Sequence, residues 1–92
     1  MKLAIPSKQQ LRAQAHKLKP VVLLGNKGLT TAVDQEIDRA LHDHELIKLR
    51  INAESRPARQ LIIKTICEKQ RATLIQSIGH TITIYRKRME KA

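Results

Sequence analysis

Leu18-Lys19-Pro20-Val21-Val22-Leu23-Leu24-Gly25-Asn26-Lys27-Gly28-Leu29-Thr30 is the stretch on which the fold turns. Pro20 ends whatever helix precedes it, because its ring clashes with helical backbone and it has no N–H to donate. Val21 to Leu24 is a continuous β-branched and aliphatic run. It reads as a buried strand, covered on both faces or central in a mixed sheet. Gly25-Asn26-Lys27-Gly28 is a tight turn. Thr30 or Thr31 then caps a helix, with Asp34 favourably placed in its first turn. A strand delivered into a helix through a glycine turn is the unit of an α/β protein.

Reading outward keeps that alternation. Upstream, Ser7-x-x-Gln10 is a capping box, in which each side chain satisfies the other residue's orphan N–H. Leu11, Ala15 and Leu18 form the apolar stripe of this first helix, and Lys8, Arg12, His16 and Lys19 a basic one beside it. Downstream, Val33, Ile37, Ala40 and Leu41 are the apolar face of the second helix. Leu46 to Asn52 alternates: Ile47, Leu49 and Ile51 face one way, Lys48, Arg50 and Asn52 the other, so one face is dry and one wet. Ser55 caps a third helix with Pro57 in its first turn. Ala58, Leu61, Ile62 and Ile66 are its expected core stripe, widened by Ile63 and Cys67. Thr73 to Ile78 and Thr81 to Arg86 form a hairpin about Gly79-His80. The order is αβαβαββ. The first two strands pair in parallel through right-handed crossovers, the hairpin adds one antiparallel strand, and the fold class is a two-layer α/β sandwich.

Ninety-two residues are expected to form a single domain, 1–92, with residues 87–92 as a frayed basic tail. Twenty-five branched aliphatics can fill its core although Tyr85 is the only aromatic residue. The longest apolar stretch, Val21 to Leu24, is far short of the roughly 20 residues of a membrane span. No apolar run of signal-peptide length follows the start, and the single Cys67 cannot make an internal disulfide or a Cys-based zinc site. A cytoplasmic location fits both. Net charge is +10. Residues 1–28 carry six basic side chains and no acid, residues 29–46 five acids and one Arg, and residues 47–92 eleven basic side chains and three acids. The partner such a charge implies is a polyanion, met by a surface polarised between basic blocks and an acidic second helix.

The turn at Gly25, Asn26, Lys27 and Gly28 has the composition of a phosphate site. Glycines let backbone N–H groups approach a ligand closely, the next helix contributes its free N–H groups, and Lys27 places a charge at the tip. It is not a nucleotide P-loop, because no Gly-Lys-Ser/Thr follows at the required spacing. The Lys8, Arg12, His16, Lys19 stripe can track a sugar-phosphate backbone. His42-Asp43-His44 puts its histidines on different helix faces with no fourth ligand evident, so no metal is expected. Cys67 reads as core, and no nucleophile motif supports an enzyme. Tyr85 either stacks on a base or closes an edge of the core. One aromatic residue cannot build a stacking platform, so recognition leans on phosphate and shape.

Three runs then carry a resemblance: Leu18 to Thr30, Glu45-Leu46-Ile47-Lys48-Leu49-Arg50-Ile51, and Ile78-Gly79-His80-Thr81-Ile82-Thr83-Ile84-Tyr85-Arg86. Their order and spacing resemble the CRM domain (chloroplast RNA splicing and ribosome maturation), most closely its stand-alone bacterial YhbY-like members. The resemblance implies a four-stranded mixed sheet in the order 1-2-4-3, with strand 4 antiparallel, similar to the C-terminal domain of translation initiation factor three. It also implies RNA binding through Gly25, Asn26, Lys27 and Gly28 with first-helix residues such as Lys8 and Arg12, and association with rRNA of large-subunit precursors. Lys19, Tyr85 and Arg86 complete the expected RNA surface. No catalytic residue, cofactor, metal, small-molecule substrate or membrane is implied. Two other readings remain: an interaction protein whose acidic second helix binds a basic partner, and a nonspecific DNA-binding protein.

Overall fold

Residues 7–25 and 27–88 are described by the computed structural model. They form α1 (Lys8–Ala15), β1 (Pro20–Leu24), α2 (Thr31–His44), β2 (Leu46–Ile51), α3 (Arg56–Gln70), β3 (Thr73–Ile78) and β4 (Thr81–Tyr85), the expected order. The sheet runs β1-β2-β4-β3. β1 and β2 are parallel, and β4 is antiparallel to both of its neighbours, as the resemblance implies.

Short polar side chains start each helix. The Ser7 hydroxyl accepts from the Gln10 N–H at 3.2 Å while Gln10 Oε1 accepts from the Ser7 N–H at 2.9 Å, which is the reciprocal capping box. Thr30, not Thr31, caps α2 by accepting from the Val33 N–H, and Ser55 caps α3 by accepting from the Ala58 N–H. Helix ends depart further from expectation. α1 stops at Ala15, well before Pro20, so Leu18 and Lys19 lie in the segment leading into β1. α2 and α3 end on Glu45 (φ 64°) and Arg71 (φ 54°), neither of them a glycine. The Gly79-His80 connection has positive φ at Gly79 and not at His80, the pattern of a II′ hairpin turn.

The sheet is covered unequally on its two faces. Val22, Leu24, Ile47, Leu49, Ile51, Ile82 and Ile84 meet Ile37, Leu41, Ile63 and Ile66 of α2 and α3 in the main core. The β2 alternation is therefore real. On the other face, Leu46 and Ile75 pack with Leu11 and Ala15 under α1. The two-layer sandwich is thus the sheet with α2 and α3, and α1 adds a small third layer. Among the described residues nothing covers the rest of that face beyond α1.

Two expectations need correction. β1 is an edge strand, and its continuous apolar run does not mean two covered faces: Val21 and Leu23 are 48% and 63% exposed. They point to the open side, where α1 lies against β2 and β3. In α3, Leu61 is 66% exposed and Ala58 is exposed; the buried line is Ile63, Ile66 and Gln70, flanked by Ile62 and Cys67. A polar residue belongs to that line. Gln70 Nε2 donates to the Asp34 carbonyl at 3.0 Å and to Asp34 Oδ1 at 2.7 Å, so its burial leaves no donor unpaired.

Candidate nucleic-acid interface

Strand pairing decides which loops meet. The Asn52 N–H donates to the Leu24 carbonyl at 2.9 Å, and the Ile51 N–H to the His80 carbonyl at 2.7 Å. The carboxyl ends of β1 and β2 therefore lie beside the β3–β4 turn. This loop end of the sheet carries Gly25, Lys27 and Gly28, together with Arg50, which pairs with Leu23 and Thr81. The start of α3 belongs here as well. His80 Nδ1 donates to the Ile51 carbonyl at 3.1 Å, with the Arg59 guanidinium 3.5 Å from the same ring. Arg56 precedes Arg59 by less than one turn at the start of α3, and both belong to the α3 side of the sheet, opposite the open face that carries Arg50.

The Gly28 N–H donates to the Gly25 carbonyl at 3.0 Å and closes the four-residue turn. Gly28 sits at φ +68°, where a side chain is strained. Gly25 is different: its φ is outside the left-handed region, and a Cβ there would meet nothing within 4 Å. The free fold therefore does not require a glycine at 25. Lys27 is exposed, and Asn26 lies outside the described residues. Lys27 has no carboxylate partner among the described residues.

The other expected site residues divide. Lys8 and Arg12 are exposed on α1, away from its buried Leu11 and Ala15. Lys19 enters β1 at the opposite end of the sheet from Gly25, a strand length of roughly 17 Å away. Tyr85 is at that far end too, paired with Leu46, and packs against the Leu11, Ala15, Leu46, Ile75 cluster. Burial, and then the negative charge of Glu45, push its phenol above the usual pKa. Tyr85 closes an edge of the core.

Arg86 is engaged within the fold. Its Nη1 donates to Asp38 Oδ1 at 2.9 Å and to Gln70 Oε1 at 3.1 Å, and its Nη2 to the Asp38 carbonyl at 3.1 Å. Arg88 is held likewise: its N–H donates to Glu45 Oε2, its Nε to the His42 carbonyl and its Nη2 to the Asp43 carbonyl, each at 2.7 Å. Of the expected basic tail, residues 89–92 lie outside the described residues. Among the described residues one carboxylate of α2, that of Asp38, meets a guanidinium at the end of β4, that of Arg86.

Arg50, Arg56 and Arg59 were not singled out as site residues by the sequence reading. The alternation of β2 had put Arg50 on the wet face, but only pairing brings it to the glycine turn. Among the described residues, no group of three or more His, Cys, Asp or Glu side chains comes together to hold a metal. Cys67 is half-buried, and burial pushes its thiol pKa up, so it stays protonated and weakly reactive.

Comparison with known proteins gives this geometry a family. The CRS1 / YhbY (CRM) domain model matches residues 3–86. A Haemophilus influenzae protein named RNA-binding protein is 45% identical over 84 residues, spanning 91% of this chain and 85% of its own. A probable RNA-binding protein of Pseudomonas aeruginosa is 40% identical over 87 residues, spanning 95% and 84%. The solution structure of a hypothetical protein from Staphylococcus aureus superposes with a TM-score of 0.79 at 32% identity, covering 92% of this chain and 88% of that one. The glycine turn after an edge strand, the 1-2-4-3 sheet and these matches together make the chain a member of the CRS1/YhbY (CRM) domain family.

Proposed function

We propose that this protein binds structured RNA at the loop end of its sheet, and that its RNA is rRNA of large-subunit precursors during assembly. One observation carries the reading. Strand pairing gathers a glycine turn with an exposed lysine, Arg50, Arg56 and Arg59 in a member of a family whose relatives are named for RNA binding. Backbone N–H groups of the turn would meet phosphate, and the guanidinium groups would fork onto neighbouring phosphate oxygens. Lys8 and Arg12 would add phosphate contacts from α1, which packs over Leu46 and Ile75 toward the other end of the sheet. No catalytic step is assigned. The work is to neutralise phosphates and hold a local RNA conformation.

Gly25→Ala separates fold from function. The added methyl enters open space at an unstrained φ, so stability should hold or rise by about 0.5 kcal/mol through the unfolded chain. RNA affinity should fall, because the methyl stands where a phosphate approaches the backbone. Thermal unfolding and fluorescence anisotropy on a hairpin RNA measure the two; an affinity equal to the native one would remove Gly25 from the interface.

Lys27→Glu should weaken binding roughly tenfold and flatten the salt slope by about one, with an unchanged melting temperature. Unchanged affinity and slope would sink the loop assignment. In cell lysates, co-sedimentation with large-subunit precursors that ribonuclease abolishes is the expected result; a ribonuclease-resistant association would favour a protein partner. Asp34 and Asp38 are already engaged within the fold, which leaves Glu36 and Asp43 as the carboxylates α2 could offer a basic protein. Competition between hairpin RNA and duplex DNA at equal salt tests the DNA-binding reading.

A further inference from the structure

Between the end of α1, the first residues of β1 and β2 and His44 at the end of α2 lies a cleft of about 390 Å³, at the opposite end of the sheet from the glycine turn. Leu18, Val21 and Leu46 give it apolar walls, and Lys17, Lys19 and Lys48 line it as well. Among the described residues no carboxylate lines it, and none of these lysines pairs with one. Residues 16–19 lead from the end of α1 into β1, and Lys17, Leu18 and Lys19 among them line the cleft. Val21, whose exposure conflicts with a doubly covered strand, is part of the cleft wall.

An apolar slot with three ammonium groups and no acid suits a ligand that is flat and apolar in one part and anionic in another. We propose that this cleft seats the base of one unpaired nucleotide, with the lysines on its flanking phosphates. The proposal rests on the RNA-binding reading above and adds a second contact to it, some 17 Å of strand from the loop end. The wet side of β2 joins the two. Lys48 and Arg50 are successive outward residues on that strand, so a backbone gripped at Gly25–Gly28 is led across Arg50 and Lys48 into the cleft. Aliphatic walls here take the part that aromatic platforms take in other single-strand binders. The protein would then prefer a junction where a paired stem meets an unpaired strand.

The test uses the full chain and three RNAs: a blunt hairpin, the same hairpin with a short unpaired extension, and that hairpin with an abasic extension of equal length. The native protein should bind the extended hairpin about tenfold tighter than the blunt one, and the abasic form should lose most of that gain despite keeping its phosphates. Val21→Asp puts a carboxylate into the cleft from an exposed position on an edge strand. It should abolish the preference for the extension and leave blunt-hairpin affinity within twofold. Lys17→Gln, at an exposed position outside the helices and strands, should reduce the preference without touching the fold. Equal affinity for base-bearing and abasic extensions, or a Val21→Asp variant weakened equally on both hairpins, would overturn the proposal. Failure of the parent reading looks different: the native protein would bind none of the three RNAs.

Discussion

Raising monovalent salt from about 50 mM to about 200 mM should lower the affinity for a hairpin RNA by roughly 250- to 1,000-fold. Six cations, Lys8, Arg12, Lys27, Arg50, Arg56 and Arg59, are assigned to phosphate, and each neutralised phosphate releases bound counterions. A contribution of about 0.7 to 0.9 per phosphate gives a log–log slope on the order of −4 to −5. With a single tyrosine, packed against the α1 cluster, the protein has little aromatic stacking to offset this. Fluorescence anisotropy across a salt series measures the slope. A shallow slope, near −1, would mean that contacts other than phosphate dominate and would overturn the cationic surface proposed here.

Arg86→Ala should lower stability by about 2–3 kcal/mol, a fall of roughly 10–20 °C in the melting temperature of a domain this size. The ion pair with Asp38 is the smaller part, since that carboxylate is 63% exposed and rehydrates readily. The larger part comes from Gln70. It is 6% exposed, and it would lose the Arg86 donor to its Oε1 at the point where α2, α3 and β4 meet. Arg86→Lys keeps the charge and loses the fork, so it should recover only part of the loss. Hairpin affinity, measured where the variant is still folded, should stay within twofold of native. A variant of native stability with weak RNA binding would return Arg86 to the interface.

These two experiments divide the cations by role, and one-dimensional reading could not make that division. Lys27 and Arg86 are both basic residues at the edges of strands. Charge counting treats them alike. The difference comes from α2, whose Asp38 stands against Arg86, 48 residues away in sequence. For the same reason the acidic segment proved to be partly internal wiring.

Features that depend on neighbours within a few residues were legible in the linear chain. Ser7, Ser55 and the Thr30-Thr31 pair mark helix starts because a hydroxyl reaches an N–H three residues on, and the fold chose Thr30. The alternation in β2 separates a dry face from a wet one, and the hairpin follows from Gly79-His80. The resemblance then supplied the strand order. Tertiary structure alone decided which faces were covered and which distant residues met. Val21 to Leu24 looks buried by composition, yet hydrophobicity does not tell an edge strand from a central one. That depends on where α1 comes to rest, and α1 rests on β2 and β3. Gln70 joins the buried line of α3 because it finds partners on α2 and beyond β4, and a satisfied polar group can be buried where an isolated one cannot. Arg50 reached the glycine turn, and Tyr85 left it, through register alone.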